Sequence, residues 1–203
     1  MEKVDLKKQL KHLYRPPAKS PVVVEVPAMN FLMIDGEGDP NSAQVYQEAV
    51  EALYAVAYAL KFMIKKGPQA VDYGVMPLEG LWWVEDMRQF SVEDKSAWQW
   101  TMMIMQPDFV SAILYTEALE QVKAKKDPPA LSRMRFENYD EGLSAQIMHI
   151  GPYAAEAPTI EKLHQFIADQ GYQRRGKHHE IYLGDPRRTA PERLKTVIRQ
   201  PMG

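Results

Sequence analysis

The stretch from Lys177 to Pro186 reads Lys-His-His-Glu-Ile-Tyr-Leu-Gly-Asp-Pro, placing two imidazoles, a carboxylate and a phenol in one short run. Glu180-Ile181-Tyr182-Leu183 alternates and is closed by Gly184-Asp185-Pro186, the pattern of a strand entering a turn. Side chains alternate along a strand, so Glu180 and Tyr182 share a face with His178, while His179, Ile181 and Leu183 share the other. A carboxylate beside a phenol can orient a water, accept a proton or hold a cation. A second stretch, Pro77-Leu78-Glu79-Gly80-Leu81-Trp82-Trp83-Val84, also sets one glutamate among apolar and aromatic residues.

The two stretches suggest one cleft, with Glu79 and Glu180 on corresponding strands and Trp82, Trp83, Trp100 and Tyr182 as its walls. Three roles are open to a partly desolvated carboxylate there. It can stay ionised as counter-charge to a cation stacked on the indoles. Burial can raise its pKa until it works as general acid or base on water. It can also pair with Arg187 or Arg188 and merely hold a turn. The pairing of two glutamates favours function, with Glu180 as base or counter-charge and Tyr182 bonded to the substrate or the glutamate. A metal reading of His178-His179 fails, because adjacent strand residues face apart and no ligand-spaced partner accompanies them. No phosphate loop, Gly-x-Ser-x-Gly or EF-hand spacing is present, so no cofactor is implied.

The elements that must position these residues follow from periodicity. Leu6, Leu10 and Leu13 make a short amphipathic segment ended by Arg15-Pro16-Pro17. Val22 to Asp35 reads as extended, with Phe31-Leu32-Met33-Ile34 as a buried strand. A glycine-rich turn leads to a helix capped by Asn41 with Gln44 and running to about Lys66. Tyr46, Val50, Leu53, Ala57, Leu60 and Ile64 form its buried stripe. The Glu79 strand, a polar connection over Ser91-Val92-Glu93-Asp94-Lys95 and a strand from Trp98 to Met105 follow. In that strand Trp98, Trp100, Met102 and Ile104 take one face. Asp108 is expected to cap a second helix, which ends at Asp127-Pro128-Pro129. The order then recurs: a strand over Gly142–Ile150, a turn, a helix over about Pro158–Gln170, the Glu180 strand and a last strand. The expectation is an α+β domain over residues 1–203, a tandem pseudo-repeat of strand-helix-strand-strand units at about 20–130 and 131–203. An antiparallel sheet would carry its central groove.

The chain has 203 residues, a formal net charge of -2 and no cysteine. Disulfides, thiolate metal sites and cysteine nucleophiles are therefore excluded. The near-neutral charge gives nucleic acid no electrostatic footprint. The charged N-terminus lacks a signal core, and no apolar run is long enough to span a membrane, so a cytoplasmic protein is expected.

Several stretches together resemble the GyrI-like small-molecule-binding proteins, a family related to gyrase inhibitors and to effector domains of multidrug-responsive regulators. They are Phe31–Gly36 with Gly38-Asp39-Pro40, Pro77–Trp83, Glu141-Gly142 with Gln146–Tyr153, and His178–Arg188 with Lys195-Thr196 and Arg199-Gln200-Pro201. The resemblance covers nearly the whole chain and is to the stand-alone branch, since Met1–Arg15 is too short for a helix-turn-helix. It implies paired SHS2-type units around a groove, in which Glu180 matches a buried glutamate that meets cationic aromatic drugs. It also implies an activity: some stand-alone members are hydrolases that open electrophilic cyclopropanes, a detoxification in which a groove glutamate and aromatic residues take part. Non-catalytic sequestration of drugs is the alternative.

Overall fold

The computed structural model describes residues 2–85 and 97–203, and the polar connection read over Ser91–Lys95 lies outside them. The fold is α+β. Its centre is an eight-stranded sheet in the order β2-β8-β10-β9-β5-β6-β3-β7, with every neighbouring pair antiparallel. The strands are β2 (Val22–Val26), β3 (Met29–Glu37), β5 (Leu78–Trp83), β6 (Gln99–Gln106), β7 (Arg135–Tyr139), β8 (Gly142–Ile150), β9 (His178–Tyr182) and β10 (Lys195–Pro201). A parallel pair, β1 (Glu2–Val4) and β4 (Val71–Tyr73), stands apart from the sheet. Among the described residues no helix is long and apolar enough to cross a membrane.

The chain runs twice through one plan. β2-β3-α3-β5-β6 is answered by β7-β8-α5-β9-β10, where α3 is Gln44–Lys66 and α5 is Ala157–Asp169. Each half lends its first strand to the other: β2 pairs with β8, and β7 pairs with β3. The registers match, since Met29 opposite Tyr139 is mirrored by Gly142 opposite Val26. The halves meet at β5 and β9 on the pseudo-twofold axis.

Both long helices lie on one face of the sheet. α5 buries Ile160, Leu163 and Ile167 against Ala145, Ile147 and Ile198, while α3 rests Tyr46 on Trp82 and Trp100. The ladders place these strand residues on the same side as Glu180. α4 (Ala112–Lys125) packs on α3, outside the sheet. The opposite, back face is covered near its centre by the N-terminal segment with α1 (Leu6–Gln9) and α2 (Lys11–Tyr14).

Two helix starts differ from the sequence expectation. Asn41 does not cap α3, because its backbone N–H and side-chain amide both donate to Asp39 Oδ1 at 2.9 and 2.8 Å. The helix begins after Ala43 without a side-chain cap. A turn from Pro107 to Val110 delays α4, so Ser111 rather than Asp108 supplies the cap and accepts from the Leu114 N–H at 3.3 Å.

One glycine is fixed by packing. Gly36 lies opposite Trp100 in the ladder, and a Cβ added there would meet the indole at 2.2 Å. Trp100 is fully buried and cannot swing clear. Gly36→Ala should therefore cost about 1–3 kcal/mol as overpacking. The measurement is the denaturant midpoint; one equal to wild type would show that the indole is free to move.

Candidate functional site

At the dyad, Gly80 of β5 faces Glu180 of β9. The absence of a side chain at Gly80 lets the Trp82 indole fold over it; a Cβ there would stand 2.7 Å from Trp82 Nε1. Trp82 Nε1 thereby reaches Tyr182 and donates to its hydroxyl at 3.0 Å. Tyr182 in turn donates a hydrogen bond to Glu180 Oε2 at 2.7 Å, and His178 Nε2 lies 2.9 Å from Glu180 Oε1. The carboxylate is thus gripped on both oxygens by neighbours from its own strand, as period-two alternation allows. Glu180 is 8% exposed and sits on the helix face.

Aromatic rings surround it. From α3, Tyr46 stacks on Trp82 with centroids 6.2 Å apart and meets Trp100 edge-on at 5.4 Å. Tyr153, just before α5, sets its ring at 79° to Tyr182, 5.6 Å away. Trp98 closes on Trp82 at 5.2 Å. Burial first, and the Glu180 charge second, hold the Tyr182 phenol well above its ordinary range. Burial, aided by Glu156 and Glu180, pushes Tyr153 up to about 12. Tyr46 is raised in the same way by burial and the Glu180 charge. All three therefore keep their protons near neutral pH and are able to donate hydrogen bonds, as Tyr182 does to Glu180. Two surface concavities, of about 500 and 430 Å³, lie elsewhere, the first along the polar side of α3 at Gln44–Glu51 and the second between α5 and the Tyr172–Gly176 loop. Glu180, Tyr182 and Trp82 line neither.

The residues expected from sequence separate onto two faces. Glu180, Tyr182, Trp82 and Trp100 share the helix face, although Trp100 is fully buried beneath Tyr46 and underlies the site rather than walling it. Glu79 and Trp83 point to the back. The expected equivalence of Glu79 and Glu180 is off by one residue. Ile34 and Ile147 hold matching places in β3 and β8, and the ladders lead from Ile34 through Met102 to Gly80, and from Ile147 through Ile198 to Glu180. Gly80 is thus the counterpart of Glu180, and His179 that of Glu79. A shift of one residue moves a strand side chain to the other face. Trp83 bonds Gln99 Oε1 through Nε1 at 2.7 Å and carries the Lys177 ammonium over its ring at 3.3 Å.

Behind the site, Glu79 belongs to a buried ionic cluster. His179 sets Nε2 at 2.9 Å from Glu79 and Nδ1 at 2.8 Å from Glu141. Arg199 donates to Glu141 at 3.0 Å, and the Tyr14 hydroxyl donates to Glu79 at 2.7 Å. Arg199 also donates to the Leu13 carbonyl, and Gln146 to that of His12, which ties down the N-terminal segment. The turn-holding alternative for Glu180 is not realised with Arg187, which is exposed and paired with Asp185. Residues that sequence reasoning left without a role are His178, Tyr46 and Tyr153 on the helix face and Glu141 and Arg199 behind. Tyr46 had been legible only as one member of a buried helix stripe.

A model of the GyrI-like small molecule binding domain matches residues 19–202. The chain belongs to this family. This GyrI-like chain is similar to an uncharacterized conserved protein from Listeria innocua, at 40% identity and TM-score 0.91, over 98% of this chain and 100% of that one. It is likewise similar to a hydrolase from Listeria innocua, at 41% identity and TM-score 0.89, over the whole of both chains. The C-terminal domain of EcmrR shares the fold at 14% identity and TM-score 0.57, over 91% of this chain and 97% of that one. No curated protein matches the chain.

Proposed function

We propose that this GyrI-like protein binds flat hydrophobic molecules over Glu180 and hydrolyses electrophilic cyclopropanes, removing reactive compounds. The observation that carries this reading is the oriented carboxylate: Glu180, held by Tyr182 and His178, on an aromatic floor beneath protonated phenols. The 41% identical hydrolase supports a hydrolytic assignment.

Glu180 takes a proton from a water whose oxygen attacks a ring carbon of a cyclopropane conjugated to a carbonyl. The ring C–C bond breaks and its electron pair moves into the conjugated system, leaving an oxyanion on the former carbonyl. A phenol of Tyr46 or Tyr153 hydrogen-bonds that oxygen as charge develops, and the proton held by Glu180 returns to it through solvent. The sum is addition of one water. Tyr182, fixed between Trp82 and Glu180, acts as a positioning residue.

A second reading has its own support. A fixed carboxylate beside the stacked Tyr46–Trp82 pair also suits a counter-charge for a planar cation that is bound without turnover. The two separate in one assay. A spiro-cyclopropyl cyclohexadienone is incubated with the protein, and the ring-opened alcohol is measured by chromatography. The hydrolase yields many equivalents of alcohol per protein above buffer. Saturable quenching of tryptophan fluorescence with no product above buffer would leave binding standing and overturn catalysis.

A further inference from the structure

His164 stands on α5 next to Leu163, which with Ile160 and Ile167 packs that helix against the sheet. A surface concavity of about 430 Å³ borders it, with Arg174, Gly176 and Gln200 among its walls. Arg174, whose backbone bridges to Met202, brings Nη1 to 3.0 Å from His164 Nδ1. A guanidinium can only donate, so Nδ1 accepts and carries no proton. Burial first, then the charges of Arg174 and His178, holds His164 down at about 4, below its ordinary 6.5. Its ring is therefore neutral near neutral pH and bears its one N–H on Nε2. That nitrogen is buried, and among the described residues nothing accepts from it. A buried donor without an acceptor is costly and rare.

His178 offers the matching group. It lies two residues before Glu180 on the same face of β9, near enough to His164 for its charge to act there. Its Nε2 is 2.9 Å from Glu180 Oε1. A carboxylate only accepts, so Nε2 is the protonated nitrogen and Nδ1 is the acceptor of a neutral His178 ring. Every bond in such a series points inward: guanidinium to imidazole, imidazole to imidazole, imidazole to carboxylate. The other oxygen of Glu180 already ends a series of this kind, from Trp82 through Tyr182. The outer end is closed by a guanidinium, which does not give up its proton, so the series orients groups and conducts no proton.

We propose that Arg174 and His164 are positioning residues for Glu180: His164 Nε2–H donates to His178 Nδ1, directly or through one water, and so keeps the His178 N–H on the carboxylate. The inference rests on Glu180 as the working carboxylate and adds two residues that its chemistry did not use. The test begins with proton–nitrogen correlation spectra of the full chain with labelled histidine, its five imidazoles assigned by single substitutions. In wild type, His164 and His178 should each carry a proton on Nε2 and none on Nδ1. In the exposed Arg174→Met, His164 should mix tautomers and the His178 N–H signal should shift. In His164→Leu, with folding checked by melting, the His178 N–H should exchange with water about tenfold faster or more. A His178 signal identical in wild type and both variants, or a wild-type His164 protonated on Nδ1, overturns the proposal. The second arm is hydrolysis of the spiro-cyclopropyl cyclohexadienone. His164→Leu should lower kcat about ten- to a hundredfold with KM within about threefold, the mark of a misplaced catalytic group. His164→Gln, whose amide can donate, should recover most of that loss. An unchanged kcat alongside an altered His178 signal would make the series structural and overturn the positioning role. If wild type hydrolyses nothing, the hydrolase reading falls, and the spectra by themselves uphold or overturn the His164–His178 contact.

Discussion

Glu180→Gln lowers cyclopropane hydrolysis by roughly a hundred- to ten-thousand-fold, the range of a positioned general base, and changes the affinity for a neutral substrate only a few-fold. Glutamine keeps the shape and can still accept from the Tyr182 hydroxyl, which stands 2.7 Å from the carboxylate now. What it loses is the capacity to take a proton from water. The binding arm guards against a collapsed site, because Trp82, Tyr46 and Tyr153 remain as stacking surfaces. Product formation is followed by chromatography, affinity by fluorescence and folding by thermal melting. Retained turnover in the variant would remove Glu180 from the chemistry. If Glu180 acts instead as counter-charge, the variant weakens planar cations selectively and leaves neutral ligands almost unaffected.

Arg199→Met destabilises the protein by about 3–5 kcal/mol, the usual effect of removing one partner from a buried ionic set. In a chain of this size that is a melting-temperature drop on the order of 10 °C. The cluster holds two carboxylates, Glu79 and Glu141, against Arg199 and a His179 that faces a carboxylate with each ring nitrogen. All four residues are buried, so loss of the guanidinium leaves two carboxylates against one imidazolium, with one negative charge uncompensated away from water. Adding Glu141→Gln restores the balance and should recover part of the loss. A single variant melting within a degree or two of wild type would show that the cluster contributes little.

The same cluster sets a pH dependence. Burial by itself would depress His179, but Glu141 and Glu79 outweigh it and hold the imidazolium at about 9, above its ordinary 6.5. Its contribution is complete below 6.5 and is lost as pH rises through 9. Burial by itself would raise Glu141, but His179 and Arg199 bring it to about 2, below 4.5. That contribution is complete above 4.5 and is lost as pH falls through 2. Melting temperature should therefore decline between pH 6.5 and 9, and the decline should flatten in His179→Gln.

The sequence by itself determined which side chains share a strand face, because alternation is a local property of the backbone. His178, Glu180 and Tyr182 were legible as one set, as were Trp98, Trp100 and Met102, and the recurring element order gave the α+β repeat. Alternation does not say how one strand registers against the next, and a slip of one residue inverts every face. The resemblance between the Glu79 and Glu180 stretches therefore suggested one cleft, whereas the ladder set Gly80 opposite Glu180 and sent Glu79 behind the sheet. Trp83 went with it for the same reason. The helix contribution was hidden in another way: Tyr46 had the spacing of a core residue, and only the packing of α3 over β5 brought its ring onto Trp82. The back cluster joins residues from Tyr14 to Arg199, far apart in the chain. No local pattern encodes such partners. They meet because the halves pair through β5 and β9, with β10 beside β9, and because the N-terminal segment folds across the central strands.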